Sequence, residues 1–148
     1  MATRDELYAK FGITAEAAQL FETSLGTVFL AAKAHNLGWF EEQDPEASKR
    51  LLEKVENSTL GSILKKLRGQ LSFRDDVTIY EQFERGLDAR NQLTHGFFER
   101  HNVKIQSSSG RDEMIEELER LHEELFRCWR VAEGVGAALM PVGGASME

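Results

Sequence analysis

Apolar residues recurring at intervals of three and four constrain this chain most. Met114, Leu118, Leu121, Leu125, Cys128, Ala132 and Val135 follow one another at that spacing. An α-helix turns once in about 3.6 residues, so all seven fall on one stripe. A half-buried strand needs alternation at two, which the segment lacks. Such a helix gains its stability by laying its stripe on other helices. The spacing predicts a long last helix from Arg111 to about Leu139, weakened near its end by Gly134 and Gly136.

The rest of the chain reads the same way. A short helix is expected over Asp5 to Phe11, stopping at Gly12. A second starts at Thr14 as N-cap and runs to about Asn36-Leu37-Gly38, with Phe21, Leu25, Val28, Phe29 and Ala32 as its stripe. Asp44-Pro45 opens a third, a cap followed by proline at the first helical position. Asn57-Ser58 breaks it, and Ser58 or Thr59 caps a shorter helix carrying Leu60, Ile63, Leu64 and Leu67. A further helix is expected from about Asp75 to Arg100. Residues 101–110 read as a loop, with a brief edge strand at Val103-Lys104-Ile105. Only two prolines interrupt the chain. Short connections between long helices imply an all-α fold, an antiparallel up-and-down bundle of four to five helices. The expected organisation is a single domain over residues 1–140 with a flexible C-terminal tail at 141–148.

A chain of 148 residues can bury a full core. No stretch has the apolar length needed to cross a bilayer, and the N-terminus carries no hydrophobic run of the signal-peptide kind. The single cysteine, Cys128, excludes an intrachain disulfide and points to the cytoplasm. The net charge of −7 excludes binding of long nucleic acid through the whole surface, so any RNA contact is local. The charges are uneven. Lys49, Arg50, Lys54, Lys65, Lys66, Arg68 and Arg74 fall within residues 49–74, and acids dominate the last helix. The basic segment is either a solvated face or a rim that steers a phosphodiester.

The helix ending near Arg100 holds the candidate site. On a helical wheel Ile79, Tyr80, Phe83, Leu87, Leu93, Phe97 and Phe98 form one apolar face, and Arg90 lies near its middle. A guanidinium keeps its charge, so burying it is costly unless a carboxylate or a ligand meets it. Glu22 is the candidate carboxylate if its helix is a neighbour. Asn91 and His95 lie one turn apart on the flank. His95 can exchange protons near neutrality, Arg90 presents a fork of donors suited to phosphate, and Asn91 can orient a phosphate or bond His95. Asp88 either tunes His95 or decorates the surface.

Arg90-Asn91-Gln92-Leu93-Thr94-His95, followed by Gly96-Phe97-Phe98, resembles the Arg-Asn-x-x-x-His signature of the HEPN superfamily of small α-helical proteins. The resemblance is specific over residues 87–98 and loose elsewhere. It implies a homodimer with both motifs at one groove. It also implies a metal-independent endoribonuclease of toxin or defence type, with Arg90, Asn91 and His95 as catalytic residues and Arg90 and Asn91 also gripping the phosphate. No cofactor and no metal are expected. A cognate antitoxin or a regulatory protein is the expected further partner. Some toxin subfamilies carry Tyr two residues after the His, where this chain has Phe97, which sets it apart from them. Other members that it resembles bind nucleotides, RNA or proteins without catalysis, and a purely structural Arg-Asn-His network is the third reading.

The other polar and aromatic candidates have plainer roles. His35 and His122 read as histidines at the core edge and His101 as solvated. Cys128 reads as a small buried hydrophobe. Trp39, Phe40 and Trp129 read as core.

Overall fold

The computed structural model describes residues 1–70 and 77–140. They form α1 (Arg4–Asn36), α2 (Pro45–Glu56), α3 (Leu60–Leu67), α4 (Val77–Thr94), α5 (Phe97–Arg100) and α6 (Ser108–Leu139). A 3-10 turn covers Lys104–Gln106, and the described residues contain no strand. The fold is all-α. The start at Asp75 of the helix expected to reach Arg100 and the expected tail at 141–148 lie outside the described residues.

Several ends follow local chemistry. The side chain of Asp44 accepts from the Ala47 N–H, with Pro45 at the first helical position of α2. Thr59 caps α3 through the Ser62 N–H at 3.1 Å. Elsewhere packing overrides the local signal. The two helices expected around Gly12 are one, capped by Thr3 through the Glu6 N–H. A helical glycine costs about 1 kcal/mol relative to alanine. Leu7 is fully buried on one side of Gly12, and Phe11 packs on Phe97 and Phe98 beside it, which offsets that cost. Thr14 is therefore an interior residue. It is buried, and its hydroxyl lies 2.8 Å from the Lys10 carbonyl, one turn back, and 3.5 Å from that of Leu118.

The expected strand at 103–105 is a turn in which the Ile105 N–H bonds the His101 carbonyl at 3.0 Å. The serine run is the start of α6. Ser107 is its cap, accepting from Gly110 N–H at 3.0 Å, and Gly110 is buried against the backbone of Lys104.

Contacts along the helices give their directions. Ala2 meets Asp112, Lys10 meets Glu119 and Ser24 meets Glu133, so α1 and α6 run parallel. Gln82 meets Cys128 while His101 meets Glu117, so α4 and α5 run against α6. Val55 packs on Gly26 and Asn36 bonds Gln70, which lays α2 and α3 along the outer half of α1. Phe21, Leu25, Phe83, Leu118 and Leu125 fill the centre. Among the described residues no helix is long and apolar enough to cross a membrane.

The inward face of α4 differs from its helical wheel. Gln82, Phe83, Gly86, Ala89 and Leu93 are buried, and Arg90 sits at the edge. Gly86 is the reason. A Cβ there would lie 2.7 Å from the Cys128 sulfur and 2.8 Å from the Phe21 ring. α1, α4 and α6 approach closely where α4 has no side chain, a preference that hydropathy does not register.

The helix expected to reach Arg100 also ends early. Gly96, at φ 77, takes the left-handed conformation typical after a helix end. α4 stops at Thr94 and α5 begins at Phe97. The bend buries Phe97 and sets Phe98 edge-on to Tyr8 at 6.0 Å. His95 is left in the turn, exposed.

Candidate functional site

The guanidinium of Arg90 finds the carboxylate that its position demands. Its Nε donates to Glu22 Oε1 of α1 at 2.6 Å, and its Nη1 donates to Asn91 Oδ1 at 3.2 Å. The Arg90 and Glu22 side chains are 27% and 34% exposed. The pair is therefore a shielded edge contact and not a core ion pair. Thr94 completes the turn by donating its hydroxyl to the Arg90 carbonyl at 3.0 Å.

The structure joins Arg90 and Asn91 through their side chains, while His95 joins them only through the backbone. The His95 N–H donates to the Asn91 carbonyl at 2.9 Å. Its ring is exposed and has no partner among the described residues. The Asn91 side-chain oxygen is taken by Arg90, which leaves the amide nitrogen available. Arg90 likewise keeps Nη2 unpartnered among the described residues. Asp88 accepts from Gln92 at 2.8 Å and so serves its own helix surface. The site is thus a row of donors along one helix end: a fixed guanidinium, an amide and an imidazole. Such a row suits an anion, and the imidazole adds a group able to move a proton.

A half-exposed ion pair contributes far less than a buried one. Arg90→Ala is expected to cost about 1 kcal/mol. A thermal-melt double-mutant cycle with Glu22→Gln checks this. A loss several times larger would mean that the guanidinium holds α1 and α4 together.

The sequence reading missed one polar group. His101, expected to be solvated, is buried. Its Nε2 lies 2.7 Å from Glu117 Oε2, and its ring meets Phe97 edge-on at 4.9 Å. The signal was a spacing: Leu93, Phe97 and His101 recur at four and share the inward side beyond the bend. Arg100 ties the same region down, donating to the Gln92 carbonyl at 2.8 Å with its guanidinium over the Phe97 ring. His35 is exposed and not at the core edge, while His122 is half-buried with its ring stacked 6.0 Å from Phe126. Trp39, Phe40 and Trp129 are half-buried, so none is fully in the core.

Cys128 is the buried residue expected. Its sulfur accepts from Gln82 Nε2 at 3.0 Å and donates to the Gln82 carbonyl at 3.2 Å. Burial pushes the thiol up to about 11, so at neutral pH it is a protonated hydrophobe. No three His, Cys, Asp or Glu side chains gather for a metal ion among the described residues. Three cations of the basic segment are engaged away from Arg90. Arg68 lies over the Tyr80 ring, and Lys54 and Lys66 line a separate cavity with Lys33. Arg74 lies outside the described residues.

Comparison with protein-family models, with curated proteins and with solved structures finds no match for this chain.

Proposed function

We propose that the chain is a HEPN-like protein that cleaves RNA without a metal at the end of α4, as a homodimer. What carries the reading is the contrast between two residues five positions apart at the same helix end. Arg90 is held by Glu22 and Asn91, and His95 stands exposed with an unpartnered ring. A fixed cation beside a free acid–base group is what RNA transesterification needs from a protein.

In this chemistry one His95 takes the proton of the RNA 2′-hydroxyl, whose oxygen attacks the adjacent phosphorus. The bond from phosphorus to the 5′-oxygen breaks, and that oxygen takes a proton from a second acid. Arg90 steadies the added negative charge, and Asn91 orients the phosphate. The products are a 2′,3′-cyclic phosphate and a 5′-hydroxyl. One chain brings a single exposed histidine to this helix end, so a second copy about a two-fold axis supplies the second. A cognate antitoxin or regulatory protein would then act by covering that groove.

The Arg90–Glu22 pair also supports a second reading. A guanidinium already neutralised by a carboxylate binds phosphate less strongly, which fits a module that holds RNA, a nucleotide or a partner protein without cleaving. Incubating the purified protein with single-stranded RNA and EDTA separates the two. Cleavage with cyclic-phosphate ends, together with a dimer in sedimentation at micromolar concentration, is the expected result. A stable monomer that binds RNA and leaves it intact would overturn the nuclease reading in favour of the module.

A further inference from the structure

Three lysines from three helices converge on one cup. Lys33 of α1, Lys54 of α2 and Lys66 of α3 ring a cavity of about 210 Å³. Its floor is apolar: Phe29, Val55 and Ile63 are buried there, and Leu51 completes the wall. Among the described residues no carboxylate lines it, although the chain has 25 acidic residues against 18 basic ones. None of the three lysines has an ion-pair partner among the described residues. Gln70 adds a donor at the rim. Its side-chain oxygen accepts from Asn36 at 3.2 Å, and its amide N–H groups have no partner among the described residues.

Each lysine lies in the last turn of its helix, where a cation complements the terminal carbonyls. That accounts for each position separately. It does not account for three lysines from three helices lining one apolar concavity in an acidic protein. Bringing like charges together is unfavourable unless an anion joins them. The cavity is smaller than the roughly 300–1,000 Å³ typical of drug-sized ligand sites, so its ligand is small.

We propose that this cup binds a small organic anion, a carboxylate or phosphate monoester carried on a short alkyl or aryl body. The ammoniums take the head and the floor takes the body. Neither Arg90, Asn91, His95 nor Glu22 lines the cup, and the proposal stands whether or not the chain cleaves RNA.

Calorimetric titration of the whole chain with hexyl phosphate, hexanoate, inorganic phosphate and hexylamine tests it. The two amphiphilic anions are expected to saturate one site per chain. Inorganic phosphate should bind about tenfold or more weakly, for want of an apolar body. Hexylamine should not bind. Lys54→Gln and Lys66→Gln should each weaken hexyl phosphate about tenfold, and adding Lys33→Gln should abolish binding. Melting temperatures should stay near the parent's, since these side chains reach solvent. Four results would each overturn the proposal: no saturation by either anion, equal affinity for hexylamine, inorganic phosphate binding as tightly as hexyl phosphate, or a triple variant that binds like the parent. The last would leave the lysines serving their helix ends alone.

Discussion

His95→Ala is expected to fold as the parent does and to lose RNA cleavage by roughly a hundred- to ten-thousand-fold, the usual contribution of a positioned proton-transfer group. The two halves of that expectation rest on the same geometry. The His95 ring is exposed and touches no partner among the described residues, so removing it leaves no cavity and strands no polar atom. Its backbone N–H, which closes the turn onto Asn91, survives the substitution. Stability should therefore change by no more than about 0.5 kcal/mol. Single-turnover cleavage and a thermal melt on the same preparation read both halves. A variant that melts like the parent and cleaves like the parent removes His95 from the chemistry. In a dimer with two such groups, mixing parent chains with His95→Ala chains should give hybrids that cleave no faster than the double variant, because each phosphodiester needs a base and an acid.

The second large effect concerns folding. Gly86→Val should destabilise the protein by about 2–3 kcal/mol, as overpacking of a tight core does. Two of the groups that the new side chain would meet cannot yield cheaply. The Phe21 ring is fully buried and packs on Phe83, and the Cys128 sulfur is bonded to Gln82. For a chain of this size each kcal/mol moves the melting temperature roughly 2–4 °C, so a drop of about 5–10 °C is expected. Gly12→Ala is the contrasting case. It is a helical glycine with nothing within 4 Å of a new Cβ, and alanine there should stabilise by about 0.5–1 kcal/mol. Should both substitutions behave alike, the close approach of α1, α4 and α6 at Gly86 is not what the packing suggests.

These two glycines show where reading the sequence succeeds and where it stops. The stripe from Met114 to Val135 determined α6 unaided, because no other arrangement buries those residues together. Asp44-Pro45 determined the start of α2, and Ser58-Thr59 that of α3 to within one residue, because a cap acts within three residues of itself. Arg90 announced its need for a carboxylate, and Glu22 was the right candidate, because a cation beside an apolar face needs a partner whatever the fold. Other features depended on neighbours distant in sequence. Gly12 lies inside a continuous helix because Leu7 and Phe11 are anchored on the far side of it. Arg90 lies at the edge of its face because Gly86 lets two other helices come close. His101 is buried on Glu117 because the bend at Gly96 turns α5 inward. The lysine cup exists only because α2 and α3 fold back along α1, which brings Lys33 to Lys54 and Lys66, far beyond it in the chain. Periodicity and caps act over one or two turns and are written in the chain. Which face is central, which polar group is enclosed and which cations meet depend on distances between helices, and only the packed structure sets those.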